Sequence, residues 1–266
     1  MGSCCTSNSN LLAEQFVRDV LSDESLKIRK YNYMELLNEI VSKRVEQEIP
    51  KEHISQFLIP EFYDSNKTES NDIYIDSIFK YILDQLEDKN NMYLVLLYFY
   101  PFIKHEQEKT YENFFNTIRF ITQSHRQEIN KESVKKILFT YISFCSWGIS
   151  FAVRLKLTNS DDLNNSFSSL LNGPYSETNL NKFLETLMNS LTGGKDEEII
   201  NLDMFKKMFE QYDISTIENV RDFLLTQNWE DNLFFKMIII ACDISKNKQI
   251  NQYNISLFNL NIIKKL

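Results

Sequence analysis

Residues 137–153 read Ile-Leu-Phe-Thr-Tyr-Ile-Ser-Phe-Cys-Ser-Trp-Gly-Ile-Ser-Phe-Ala-Val, seventeen in a row without a charge. A membrane-spanning helix needs about 20 predominantly apolar residues. This run is shorter and carries Thr140, Ser143, Ser146, Gly148 and Ser150. It is therefore expected to be a buried helix of a soluble body, part of a helical stretch over residues 134–155. Residues 92–103 are apolar too, but the run is shorter and Pro101 breaks it. A second buried helix is expected there.

The rest of the chain repeats the helical pattern. Apolar residues recur at Leu12, Phe16, Val17 and Val20, and again at Leu36, Leu37, Ile40 and Val41, a spacing of three and four. Similar stripes run through residues 73–86, 114–121, 180–191, 204–212, 217–225 and 233–242. Only five Gly and four Pro are present in 266 residues. All-β folds need many tight turns, which those two residues make. The fold class is therefore all-α. Asn172-Gly173-Pro174 marks a turn, and the polar stretch 158–165 a candidate boundary. The expected organisation is an anchor over residues 1–10, one helical subdomain over 11–157 and a second over 166–266.

Net charge is −8. Nucleic-acid binding relies on clustered Lys and Arg, whereas here pairs such as Lys135-Lys136 and Lys206-Lys207 read as solvated helix faces. No nucleic acid is expected as a partner.

The chain begins Met1-Gly2-Ser3-Cys4-Cys5-Thr6. Removal of Met1 exposes Gly2, and Thr6 completes the N-myristoylation pattern. One myristoyl chain binds a bilayer with only roughly 10⁴ M⁻¹, so a second signal is required. No polybasic patch follows, since the next basic residue is Arg18. That leaves Cys4 and Cys5, beside the acylated glycine, as sites of S-palmitoylation. Residues 6–10 read as a flexible spacer. The start has no apolar stretch of the kind a secretory signal needs. The expected place is thus the cytoplasmic face of a membrane, where reducing conditions keep Cys145 and Cys242 as free core thiols.

Several connecting segments share a layout: a helix, about seven polar residues, one β-branched or aromatic residue, then a new helix. That is the layout of the EF-hand, whose twelve-residue loop places oxygen ligands at positions 1, 3, 5 and 12 and Gly at 6. An apolar eighth residue pairs two loops through a short β-bridge. The fullest match is residues 243–254, with Asp243, Ser245 and Asn247 at positions 1, 3 and 5, and Ile250 at 8. Residues 21–32 centre on Ile28, 66–77 on Ile73, 104–115 on Tyr111 and 192–203 on Ile199. All five lack the Glu at position 12, where Asn254, Asn32, Ser77, Phe115 and Asp203 stand, and the Gly at position 6. Calcium needs 6–8 oxygens. No cofactor is therefore expected, with Asp243 the one residue from which a weak Ca²⁺ site could start.

Residues 1–145 also resemble the N-terminal region of myristoylated TLDc-domain proteins. The likeness lies in the Met-Gly start, the EF-like helical block, and the order Ile49-Pro50, Phe62-Tyr63-Asp64 and the apolar helix over 92–103. The resemblance implies a lipid-anchored helical module. No stretch reads as the β-rich TLDc domain itself. Neuronal-calcium-sensor and calcineurin-B-like proteins share the myristoylated start, but with intact calcium loops.

Catalytic patterns are missing. His53, His105 and His125 stand alone, and no Cys-x-x-Cys occurs. Gly193-Gly194-Lys195 lacks the earlier Gly and the following Ser or Thr of a phosphate loop. Acidic pairs such as Asp161-Asp162 and Glu197-Glu198 read as solvated. The expected function is a membrane-tethered, non-catalytic adaptor that holds a protein partner in an EF-hand-like groove. Tyr93, Tyr98, Phe99, Tyr100 and Phe102 are candidates to line that groove, though aromatic stripes more often pack as core. A calcium sensor and a structural subunit of a larger assembly are the alternatives.

Overall fold

A computed structural model describes residues 4–22, 26–46, 62–64, 71–87, 93–124, 127–157, 160–195 and 198–227. Its helices are α1 (Cys4–Leu21), α2 (Tyr33–Glu46), α3 (Asp72–Glu87), α4 (Leu94–Phe99), α5 (Thr110–Thr122), α6 (Lys131–Arg154), α7 (Asp161–Asn172), α8 (Glu177–Thr192), α9 (Leu202–Gln211) and α10 (Ile217–Gln227). Short 3₁₀ turns lie at Lys27–Lys30, Tyr100–Phe102 and Gln107–Lys109. The fold is all-α, with one small strand pair among the described residues. Met1–Leu225 form one compact unit and Thr226–Leu266 a second; the architecture below is that of the first.

Local chemistry sets the helix ends. The Asn130 side chain accepts hydrogen bonds from the Glu132 and Ser133 amides and so starts α6, satisfying donors a helix N-terminus leaves unpaired. Ser160 does the same for α7 through Leu163 N. Asp161 and Asp162 are therefore the first turn of α7, where carboxylates favour the helix dipole, and not merely solvated. Gly193 closes α8 in the left-handed region, with φ 61°, so Gly193-Gly194-Lys195 is a C-terminal turn.

Helix α6 holds the centre. It is 24 residues long and apolar enough to cross a membrane, yet 67% of its apolar window is buried inside the protein. Its core face carries Val134, Ile137, Leu138, Tyr141, Ile142, Cys145, Ile149, Ala152 and Val153. Residues Phe144–Gly148 widen into a π-turn, where local carbonyls leave the regular ladder. Gly148 sits in this segment with Tyr81 of α3 laid against it. A Cβ there would stand 2.9 Å from Tyr81 Cε1 and 3.0 Å from Cζ, and Tyr81 is itself stacked on Phe144. Gly148→Ala is therefore expected to destabilise. Overpacking costs about 1–3 kcal/mol and the gain in helix propensity returns up to about 1. A urea titration should read a net loss near ~1 kcal/mol; a more stable variant would show that Tyr81 swings aside freely.

The strands β1 (Glu128–Asn130) and β2 (Ile199–Asn201) pair antiparallel with Ile129 opposite Ile200. Each precedes a helix, so α5–β1–α6 and α8–β2–α9 form two helix–strand–helix units joined at their loops. Helix α5 packs on α9, and α6 packs on α8. The register differs by one residue from the expectation centred on Ile199. Ile200 is buried at 0% and Ile199 is 50% exposed, because alternate strand residues face opposite sides. Its partner loop around Ile129 has no place among the five expected loops.

The other expected loops, as far as they are described, do not bridge through their eighth residues: residues 21–32 meet 104–115 at their ends, Asn32 beside Lys104, and Leu26 bridges Tyr63 instead. Ile73 lies in the first turn of α3 and is 50% exposed. Tyr111 lies inside α5. Ile28 is buried in a 3₁₀ turn. Residues 243–254 lie outside the described residues. The division at residues 158–165 does not follow the packing either. Helix α1, from the expected first subdomain, packs along α7 from the second, and both belong to the unit that ends at Leu225.

Candidate functional site

Gly2 lies outside the described residues. Cys4 and Cys5 open helix α1, so residues 6–10, expected as a flexible spacer, are helical backbone. The helix is fixed because its buried face is wide: Asn10, Ala13, Glu14, Val17, Val20 and Leu21 are all buried. Leu12, expected on the apolar stripe, is 50% exposed. The polar Asn10 and Glu14 on the inner face made the stripe look rotated.

Glu14 is the centre of a buried polar clamp. Arg221 of α10 donates from Nε to both Glu14 oxygens at 3.0 Å and from Nη2 to Oε2 at 2.7 Å. The Tyr175 hydroxyl donates to the same Oε2 at 2.8 Å. Arg18 adds a further bond to Oε1 at 3.1 Å and reaches Asp222 on its other side. The rest of the Arg221 guanidinium is satisfied by the π-turn of α6. Nη1 donates to the carbonyls of Cys145 and Ser146 at 3.2 and 3.1 Å, and Nη2 to Ser150 Oγ at 3.1 Å. Its carbon lies 4.8 Å from the Tyr175 ring centre. Burial alone would raise the Glu14 pKa, but Arg221 and then Arg18 outweigh it and hold the carboxylate ionised. Burial likewise opposes the Arg221 charge, and Glu14 more than restores it.

The aromatic run does not line an open groove. Tyr98, Phe99 and Phe102 are at most 6% exposed, and they are core. Tyr93 is half-buried and stacks on Phe120. Tyr100 is fully buried. Its ring lies 5.0 Å from Phe114 and 6.2 Å from Tyr141, and its hydroxyl donates to the Thr110 carbonyl at 2.7 Å. The run thus fills the interior beside α5 and α6 from within the chain.

A concavity does exist at the ends of α5 and α9 remote from the strands. It has a volume of about 650 Å³ and is lined by Glu108, Tyr111, Lys206, Phe209, Glu210 and Asp213. Three carboxylates face one ammonium, and two rings form the apolar wall. Such a cleft suits a cationic segment with apolar contacts.

Asp243, Ser245 and Asn247 lie outside the described residues, as do His53, His125 and Cys242. Among the described residues no group of three His, Cys, Asp or Glu side chains could hold a metal. His105 is tied to the Tyr100 carbonyl at 2.9 Å and packs on that ring; burial lowers its pKa and keeps the ring neutral. Burial pushes the Cys145 thiol far up, so it is an inert core residue.

The clamp and the cleft carried no motif. Glu14 and Arg221 stand 207 positions apart, and only their places within apolar stripes hinted at burial. The paired loops did carry a signal: Ile129-Asn130-Lys131-Glu132 and Ile200-Asn201-Leu202-Asp203 share Ile-Asn with an acid two residues on. Comparison with protein-family models, curated proteins and solved structures finds no match to the chain.

Proposed function

We propose that this chain is a membrane-tethered, non-catalytic helical adaptor, acylated at Gly2 and at Cys4 or Cys5. The observation that carries the reading is the order Met1-Gly2-Ser3-Cys4-Cys5-Thr6, which combines the myristoylation pattern with the second acyl site that stable anchoring needs. The geometry of α1 supports it with a mechanical consequence. The acceptor cysteines stand in the first turn of a helix whose middle is clamped by Arg221 and packed on α7. Lipids there orient the body as well as hold it.

The paired units α5–β1–α6 and α8–β2–α9 act as an EF-hand-like module that needs no metal. With Ile129 and Ile200 as the eighth loop residues, the twelfth positions are Ser133 and Met204, which supply no bidentate carboxylate. The strand pair holds the loops together instead. The acidic–aromatic cleft between α5 and α9 takes a basic segment of a protein partner, in place of the groove that Tyr100 and its neighbours occupy.

The test is labelling of cells with alkyne analogues of myristate and palmitate, followed by fractionation. The intact chain is expected to take both labels and to sediment with membranes. Gly2→Ala should lose both labels and most of the membrane fraction. Equal sedimentation of Gly2→Ala and the intact chain sinks the reading.

A further inference from the structure

Outside the core, one helix ridge is apolar and exposed, with no covering element among the described residues. Trp147 and Phe151 of α6 and Leu155, its C-terminal cap, follow each other at four-residue spacing. Trp147 is 36% and Leu155 63% exposed. The Trp147 and Phe151 rings stack at 4.8 Å and 8°, so they form one rigid surface. Leu155 continues the row, its amide bonded to the Phe151 carbonyl at 3.1 Å. Helix α3 lies beside the row: Tyr81 meets Gly148, and Ser77 Oγ donates to the Ala152 carbonyl at 2.7 Å. That antiparallel register brings Ile73, 50% exposed, level with Lys156.

We propose that this ridge enters the interface of a lipid bilayer, with Arg154 and Lys156 at the phosphates of anionic lipids. The inference rests on the tethered reading of the chain. Two features select lipid over a protein partner. Apart from the indole N–H, the row has no hydrogen-bonding group to set a partner's register. Its makeup of Trp, Phe and Leu edged by Arg and Lys is what the headgroup boundary takes, with indole at the polar level and cationic heads reaching outward. In a chain of net charge −8, Arg154 at the end of α6 and Lys156 just beyond it flank Leu155. Asp72 and Asp76 of α3 are the acids nearest this edge, Lys156 acting on Asp76.

The experiment supplies the tether chemically. Full-length chain carrying Trp229→Phe and Cys242→Ser, so that Trp147 is the sole indole, is coupled through Cys4 and Cys5 to maleimide lipid. The vesicles contain phosphatidylcholine and phosphatidylserine. Trp147 emission is expected to shift to the blue, to be quenched by brominated acyl chains, and to lose much of its quenching by acrylamide. Leu155→Asp should abolish bromine quenching with the helical circular dichroism unchanged. Undiminished acrylamide quenching overturns the proposal. So does protection from acrylamide without bromine quenching, the result a second protein surface on the ridge would give. The outcome does not depend on what cells attach to the chain. Loss of native acylation therefore refutes the tether, and a Trp147 that stays open to acrylamide or escapes bromine quenching refutes the ridge.

Discussion

Arg221→Met is expected to lower the free energy of unfolding by about 3–5 kcal/mol, the cost of breaking a buried ion pair on one side. At this chain length that corresponds to a melting temperature lower by roughly 10 °C. The reason lies in what remains. Glu14 stays in the core with Tyr175 and only Arg18 as a cation, while the carbonyls of Cys145 and Ser146 and the Ser150 hydroxyl lose their donor. The double replacement Glu14→Met with Arg221→Met should recover more than half of the loss, since an apolar pair of similar volume leaves no buried charge. It should not recover all of it, because the Tyr175 hydroxyl loses its acceptor and the Cys145 and Ser146 carbonyls lose the guanidinium bonds.

The clamp also sets a pH signature. In the intact chain Glu14 has a folded pKa below its ordinary value of 4.5. The unfolded state therefore binds the proton first, so the stabilisation is complete above about pH 4.5 and disappears as pH falls through the folded pKa. Without Arg221, burial becomes the larger influence and raises the Glu14 pKa. Its contribution to the slope of stability against pH should then shrink or reverse below neutrality. Urea titrations of both chains between pH 4 and 7 read this directly. Parallel profiles would show that Glu14 is not held by Arg221.

How far the fold was legible follows from the range of each interaction. Helix α6 was readable as buried because Thr140, Ser143, Ser146 and Ser150 spoil a membrane span, and a helix can satisfy hydroxyls on its own carbonyls. Ser146 bonds Ile142 O and Ser150 bonds Ser146 O in that way. Spacing also located most of α2, α3, α5, α8, α9 and α10. The strand register was missed by one residue because Ile199 and Ile200 are chemically equal, and only the partner Ile129 distinguishes them. The subdomain boundary was misplaced because α1 finds its partner in α7, more than a hundred residues on. The cleft was unreadable for the same reason, being assembled from Tyr111 on one helix and Phe209 on another.

The second large effect is expected at Phe114, where Phe114→Ala should cost about 3–5 kcal/mol. Its side chain is fully buried. Its ring touches Tyr141 at 4.9 Å, Tyr100 at 5.0 Å, Phe209 at 5.6 Å and Phe205 at 6.3 Å between centres. Those four rings come from α6, the turn after α4, and both α9 positions, so one truncation unseats the contact between the aromatic run and the two paired units. The cavity cannot close easily. Tyr100 is held by Thr110 and Tyr141 by the Ile214 carbonyl at 2.8 Å, and the relaxation that softens such losses is thereby restricted. Tyr93→Ala offers the contrast, since Tyr93 is only half-buried and stacks on Phe120; about 1 kcal/mol is expected there. If chemical denaturation gave Phe114→Ala a loss no larger than that of Tyr93→Ala, the interior beside α5 would be loosely filled. The groove would then be open to a partner after all, and the acidic cleft would lose its claim to be the binding surface.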